Sequence, residues 1–209
     1  PLIDLGVLKI ATFRLAHTQG SLFRATTYAV PFVLPLMMQV GFGWSPVRAG
    51  AYVAAVFVGN LGIKPTTTAL LRRFSFRAVI CTATTLLAIT MLGCAFLNAD
   101  TAPVLIVALL VVSGAARSVG FTGYGTLGLA DVDKPELRDA NALSTTLQQL
   151  AGGLGVALAV LCIATASRVW SLGELPVYRA TFVVLALLTI ATVPLVWRIG
   201  PQAGHRLKS

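Results

Sequence analysis

Two arginines lie near the centres of apolar segments that are long enough to cross a membrane. Arg24 and Arg117 stand there as permanent cations, and insertion scales assign a cost of roughly 2.5 to 3.5 kcal/mol to an arginine at the centre of a membrane helix. Such cations predict a water-filled path beside these segments. The alternative, which stays open, is a structural arginine that pairs with a carbonyl or extends to the interface.

Both arginines belong to polar faces of their segments. At about 100° per residue, helical geometry places a set of polar side chains and prolines on one face of the first segment. That set is Arg14, His17, Ser21, Arg24, Tyr28, Pro31, Pro35 and Gln39. The fourth and fifth segments carry comparable faces, so we expect substrate-binding or coupling residues on three helices: Arg24, Arg117, His17, Ser21, Tyr28, Ser113, Tyr124 and Gln148.

His17 is the one histidine inside a predicted span, and histidine titrates near neutrality. Proton handling is one interpretation, although a lone histidine is more often a hydrogen-bonded packing residue. Acidic residues, by contrast, lie only in loops or at span ends: Asp4, Asp100, Asp131, Asp133, Glu136, Asp139 and Glu174. The spans therefore contain no carboxylate at mid-membrane depth that could carry a coupling proton.

The composition is that of an integral membrane protein. Of the 209 residues, 56% are hydrophobic and only 11% are charged, whereas charged residues make up about a quarter of a soluble protein. The formal net charge of +9 comes from cations in short breaks between apolar runs, which argues against nucleic-acid binding. Cys81, Cys94 and Cys162 lie inside apolar runs without ligand-like spacing, so we expect neither disulfides nor a metal site.

Six apolar runs of about 20 residues predict six transmembrane helices. They cover residues 12–39, 45–67, 77–97, 103–130, 141–170 and 178–197 approximately. Short polar stretches separate them, among them RRFSF, DVDKPELRD and SLGELP. Because a central arginine recurs in the first and fourth helices, the sequence predicts an all-α membrane protein built from two three-helix inverted repeats.

The basic residues are unequally distributed between the two ends of the spans. One end carries Arg48, Arg168 and Arg179, and the other carries Lys9, Arg14, Arg72, Arg73, Arg77, Lys134, Arg138, Arg198, Arg206 and Lys208. The positive-inside rule then predicts that both termini are cytoplasmic. Lys64 lies nearer the cytoplasmic end of the second span, where its side chain is expected to extend to the interface. The chain opens at Pro1 without a signal peptide, which predicts an internal segment.

Several stretches resemble the C-terminal half of a major facilitator superfamily transporter, of the drug:proton antiporter type with fourteen spans. The resemblance covers nearly the whole chain. It is carried by PLIDLGVLKIATFR, GSLFRATTYAVPFVLPLMMQVGFGWSP, GNLGIKPTTTALLRRFSFR, GAARSVGFTGYGTLGLADV and NALSTTLQQLAGGLGVAL.

The resemblance implies that the protein is an alternating-access carrier and not an enzyme. Such a carrier needs no cofactor. It implies proton-coupled efflux of drugs or small organic molecules across a plasma membrane, the inner membrane of a bacterium. The partners would be the bilayer, the substrate, protons and an N-terminal transmembrane half that is absent from this chain. A gating role at the cytoplasmic loop is carried over to Lys64, Arg72, Arg73 and Arg77, although Arg72 and Ser75 stand where the superfamily's loop has Asp and Gly.

Three other function classes are alternatives to this interpretation. The stretch FTGYGT is similar to a potassium-channel filter, but it continues an apolar span with no pore helix before it. An intramembrane serine hydrolase would need a nucleophile elbow, and the sequence has none. A receptor or assembly protein on the same fold remains an alternative, since fold alone does not fix function. Substrate flux in proteoliposomes would distinguish it from a carrier.

Overall fold

The computed structural model of the chain describes residues 5–169 and 173–197, and the regular secondary structure of these residues is entirely helical. Short 3-10 turns occur at Leu5–Lys9 and Lys134–Glu136, and a π-helical turn occurs at Met37–Gly41. The α-helices are α1 (Ala11–Leu36), α2 (Pro46–Gly62), α3 (Lys64–Arg73), α4 (Phe76–Ala95), α5 (Pro103–Leu129), α6 (Leu137–Val169), α7 (Glu174–Ile190) and α8 (Val193–Val196).

The predicted all-α membrane bundle is confirmed. Five stretches of the described residues are long and apolar enough to cross a membrane by themselves, and α2 and α3, which meet at a bend of 46°, make a sixth if the pair crosses as one broken span. Local sequence signals fix the starts of these helices. The Ser45 and Ser75 side chains accept hydrogen bonds from backbone N–H groups in the first turns of α2 and α4, and Pro103 occupies the first turn of α5.

Several predicted boundaries were wrong. The second helical stretch does not end near Thr67 but continues to Arg73, because Lys64–Pro65 starts a new helix whose first turn needs no proline N–H. Residues of the predicted loops DVDKPELRD and SLGELP are helical too, since α6 begins at Leu137 and α7 at Glu174. Part of the predictions lies outside the described residues: Pro1 to Asp4, Trp170 and the basic residues Arg198, Arg206 and Lys208.

The prolines of α1 do not end the helix. The α-helix continues through Pro31 and Pro35 and widens into the π-helical turn Met37–Gly41 directly after the second proline. Prolines at membrane depth are tolerated where neighbouring protein or a wet cavity satisfies the carbonyls that they leave free. This end of α1 is therefore less regular than the segment that carries Arg24.

The spans divide into two sets of three: α1, α2–α3 and α4 form the first triplet, and α5, α6 and α7 form the second. The second span of each triplet packs against the first helix of the other, so that α2 contacts α5 and α6 contacts α1, and the third helices, α4 and α7, pack against each other. Glycines bring the backbones together at both crossings: Gly59 and Gly114 meet the backbone of the facing helix between α2 and α5, and Gly155 meets the backbone of Ala25 between α6 and α1. Exchange of the two triplets preserves this pattern, as an inverted repeat requires.

A second set of close contacts joins α1 to α5. A Cβ on Gly120 would overlap the Phe23 ring, and a Cβ on Gly20 would lie 3.2 Å from Cγ of Tyr124. The rings of Phe23 and Tyr124 have their centroids 5.3 Å apart. The aromatic rings thus pack directly against the glycines. As a result α1 and α5, the two helices that carry the arginines, lie against each other.

The close α2–α5 crossing makes a testable prediction. A Cβ on Gly59 would overlap the carbonyl oxygen of Val111, so Gly59→Ala should destabilise the bundle by about 1–3 kcal/mol through overpacking. Gly50→Ala on the same helix is the matched control, because nothing lies within 4 Å of its Cβ position. The midpoint of thermal unfolding should fall for the first variant only. Equal midpoints for the two variants would contradict the crossing.

Candidate functional site

The site is built on two stacked rings from neighbouring helices. Tyr28 of α1 and Phe121 of α5 lie with their centroids 5.6 Å apart and their planes at 28°. The Arg24 guanidinium carbon lies 4.9 Å from the centroid of Phe121. The Arg117 guanidinium carbon lies 5.2 Å from the centroid of Tyr28 and 5.3 Å from that of Phe121. One ring pair therefore contacts both cations.

Of the two cations, Arg24 is buried and Arg117 is half-buried. Arg24 is only 7% exposed, and the Nε atom of Arg117 is buried without a hydrogen-bond partner among the described residues. A desolvated cation–π contact is worth about 2 kcal/mol or more, which is comparable with the roughly 2.5–3.5 kcal/mol that an arginine costs at the centre of a membrane helix. The ring contact of Arg24 therefore offsets most of that cost, and water or an opposite charge would add to it.

A polar cavity of about 310 Å³ opens beside these rings. A second depression, of about 370 Å³, shares Tyr28 and Gln148 with it. The polar cavity is lined by Arg24, Tyr28, Asn60, Lys64, Ser118, Phe121, Thr122, Gly125 and Gln148. Its lining contains two cations and several hydrogen-bonding groups but no carboxylate, so it is chemically suited to anionic or hydrogen-bonding groups. Among the described residues, no group of three metal-ligating side chains comes together.

A hydrogen-bonded chain connects α1 to α6 next to this cavity. Nδ1 of His17 lies 2.9 Å from the carbonyl oxygen of Phe13, and Nε2 of His17 lies 2.8 Å from Oγ of Ser144. Ser144 also accepts a hydrogen bond of 2.9 Å from Nε2 of Gln148. His17 therefore reaches the cavity indirectly, through Ser144 and Gln148.

The structure brings some of the residues predicted from the sequence together and separates others. Arg24, Tyr28 and Gln148 line the polar cavity, and Arg117 contacts it through the rings. Three others lie elsewhere. Ser21 faces a groove between α1 and α6 that is otherwise apolar, and Ser113 and Tyr124 are buried within the bundle.

The predicted gating residues also separate. Lys64 lines the polar cavity, directly after the bend between α2 and α3. Arg72 and Arg73 are exposed at the end of α3. The Arg77 guanidinium carbon lies 3.9 Å from the centroid of Trp197, which follows α8. Lys64 is thus placed with the central residues and not with the loop arginines.

Sequence reasoning missed part of the lining. Asn60 precedes Lys64 by one helical turn, so a helix drawn through both residues would have put them on one face. Ser118 and Thr122 flank the face of α5 that carries Arg117, and their hydroxyl groups only weakly indicated that they line a polar cavity. Phe121 gave no signal, because an aromatic residue in an apolar span resembles any other lipid-facing or core residue.

Comparisons with known proteins agree with this architecture. Residues 19–209 match the family model described as Major Facilitator Superfamily. The MdtD protein of Serratia proteamaculans, which its name assigns to multidrug resistance, is 29% identical over 182 residues, 87% of this chain and 38% of that protein. MdtD of Pectobacterium atrosepticum is 30% identical over 80% of this chain and 36% of its own length.

A third relative is the HsrA protein of Haemophilus influenzae, which its name assigns to transport. It is 26% identical over 78% of this chain and 35% of its own length. The chain thus spans well under half of each of these relatives. The match to the family model covers nearly all of this chain.

The shared ring makes a testable prediction. Phe121→Leu removes the π face that both guanidinium groups contact and should lower the free energy of unfolding by about 1–4 kcal/mol, since each contact is worth about 0.5–2 kcal/mol. Phe121→Tyr keeps that face and should remain close to the unsubstituted protein. Thermal unfolding of the purified variants measures the difference. Equal free energies of unfolding in the two variants would contradict a contribution from the π face.

Proposed function

Because this chain belongs to the Major Facilitator Superfamily, we propose that it forms the C-terminal six-span half of a transporter that exports small organic molecules by alternating access, driven by protons. In this proposal a second transmembrane half completes the molecule in the inner membrane of a bacterium, with both ends of this segment in the cytoplasm. The activity is transport and not catalysis. The names of the MdtD relatives, which refer to multidrug resistance, support drugs as the proposed substrates.

The observation that carries the proposal is the polar cavity, whose lining holds cations and no carboxylate. Arg24, Lys64 and the nearby Arg117 come from three different spans and meet beside Tyr28 and Phe121. Ionisable residues inside membrane spans typically mark substrate or ion pathways. Discontinuous helices at the interface of inverted repeats are the usual place for such pathways, and Lys64 follows a 46° bend in the second span.

The proposed coupling follows from charge. The described spans hold no carboxylate in their interiors, since Asp139 and Glu174 lie in first turns and Asp131 follows α5. The proton would therefore bind to a carboxylate of the other half. A deprotonated carboxylate facing Arg24 or Arg117 would pair with the guanidinium and hold the halves together. Protonation would remove that charge and release the pair, which biases the halves towards the alternate opening.

The cavity arginine makes a direct prediction. Arg24→Gln in the complete transporter should reduce transport roughly 30-fold or more, because loss of a desolvated charged partner costs about 2–5 kcal/mol. Arg48→Gln is the matched control. Arg48 contacts Trp44, with its guanidinium carbon 3.8 Å from the ring centroid, and does not line the cavity. Insertion of both variants is checked by their yield in the membrane fraction. Normal transport by Arg24→Gln would remove this residue from the mechanism.

Proton coupling and transport itself need a separate experiment. Proteoliposomes that contain the complete transporter are given a proton gradient, and the flux of a mixed panel of anionic, neutral and cationic organic compounds is measured. The proposal expects flux of some members that collapses when a protonophore removes the gradient. Flux that is indifferent to the protonophore would contradict proton coupling. Binding without any flux would favour a receptor on the same fold.

A further inference from the structure

The chain of hydrogen bonds from Phe13 to Gln148 has a direction that its chemistry fixes. The carbonyl oxygen of Phe13 can only accept, so Nδ1 of neutral His17 must carry the proton and donate it over the 2.9 Å contact. Nε2 of His17 is then an acceptor. The hydroxyl hydrogen of Ser144 must therefore point to this nitrogen, 2.8 Å away.

The same logic sets the orientation of the next amide. Because the Ser144 hydroxyl donates to His17, its oxygen can only accept from Gln148, and the Gln148 group at 2.9 Å must be the NH₂. Side-chain amide orientations are assigned from such networks. The hydrogen bonds of His17 and Ser144 thus use the NH₂ group of Gln148, and its carbonyl oxygen Oε1 remains available to accept a hydrogen bond in the polar cavity. Gln148 lines this cavity together with Arg24 and Lys64.

We infer that Ser144 is a positioning residue that turns the Gln148 amide oxygen towards the polar cavity, which makes the site selective for organic anions that bear an O–H or N–H donor. The cations attract the anionic group, and Tyr28 and Phe121 add apolar ring surface to the cavity wall for the organic body of the ligand. The amide oxygen then accepts from the donor of the ligand. This inference rests on the proposed function, because it names the substrate class of the same cavity.

Ligand discrimination arises because an acceptor that a bound ligand covers without supplying a donor is left unpaired. A ligand without the O–H or N–H group leaves Oε1 of Gln148 unsatisfied, whereas a ligand that has it forms one additional hydrogen bond. Without Ser144, the amide is free to present its NH₂ group instead, and the preference disappears. Ser144 never contacts the ligand in this account. It acts through Gln148.

The test uses two probes that differ by one hydroxyl group, 4-hydroxybenzoate and benzoate, and the complete transporter in detergent. Calorimetric titration should give a dissociation constant about 3–10-fold lower for 4-hydroxybenzoate, the value of one neutral hydrogen bond. In Ser144→Ala this ratio should fall to about one while benzoate affinity is kept, which also shows that the variant is folded. Ser144→Thr keeps a hydroxyl and should keep the ratio.

Thr146→Ala is the matched control on the same helix. The Thr146 hydroxyl donates only to the backbone oxygen of Ala142, so its removal should leave the ratio unchanged. An unchanged ratio in Ser144→Ala, or no preference in the unsubstituted protein, would overturn the inference.

The direction of the chain has its own readout. Nitrogen NMR of ¹⁵N-histidine-labelled transporter, with His17→Gln to identify the signal by difference, should show His17 in its neutral form protonated at Nδ1. Protonation at Nε2 would overturn the proposed direction, whatever the binding ratio.

The outcomes separate this inference from the proposed function. If neither probe binds while Arg24→Gln has lost transport of other compounds, the ligand class is wrong and the transport proposal stands. If Arg24→Gln transports normally, the proposed role of the cavity itself is wrong.

Discussion

The constraint on which the structure depends is the presence of two guanidinium groups at membrane depth without a carboxylate of their own spans. Arg24 and Arg117 share the face of Phe121, and Arg117 also contacts Tyr28. These ring contacts offset much of the cost of holding the cations there, since each is worth about 2 kcal/mol or more when desolvated. Water, an anion or a partner carboxylate in the cavity would stabilise the cations further.

The fold explains why the cations meet. Equivalent triplets place an arginine near the middle of α1 and of α5, and small residues at the α1–α5 contact, such as Gly20 and Gly120, let the two helices approach. The broken second span adds Lys64 to the same cavity. Glycine crossings are rigid packing contacts, whereas the bend at Ile63 and the π-helical turn after Pro35 interrupt regular helix. In the proposed alternating-access mechanism, the rigid crossings would keep this half intact and the interrupted helices would lie at the binding site.

The sequence predicted the architecture well because hydrophobic run length and helical periodicity determine it directly. Helical periodicity also placed Arg24, Tyr28 and Gln148 on polar faces of their helices, and all three line the polar cavity. Boundaries at Arg73, Leu137 and Glu174 were missed because polar residues at helix ends resemble loop residues by composition. The sequence also did not determine which side of α1 faces which neighbouring helix. Ser21 lies on the predicted polar face, yet apolar residues of α6 cover that side.

Water access to the cavity is the most direct test of the central claim. With Cys81, Cys94 and Cys162 replaced, single cysteines at Arg24, Gln148 and Ile89 of the complete transporter are treated with a charged, membrane-impermeant thiol reagent. Ile89 is an apolar residue of α4 that is 56% exposed on the surface of the bundle. The account predicts labelling at positions 24 and 148 from at least one side of the membrane, and none at 89. Positions 24 and 148 that stay unlabelled from both sides, in every conformational state, would contradict it.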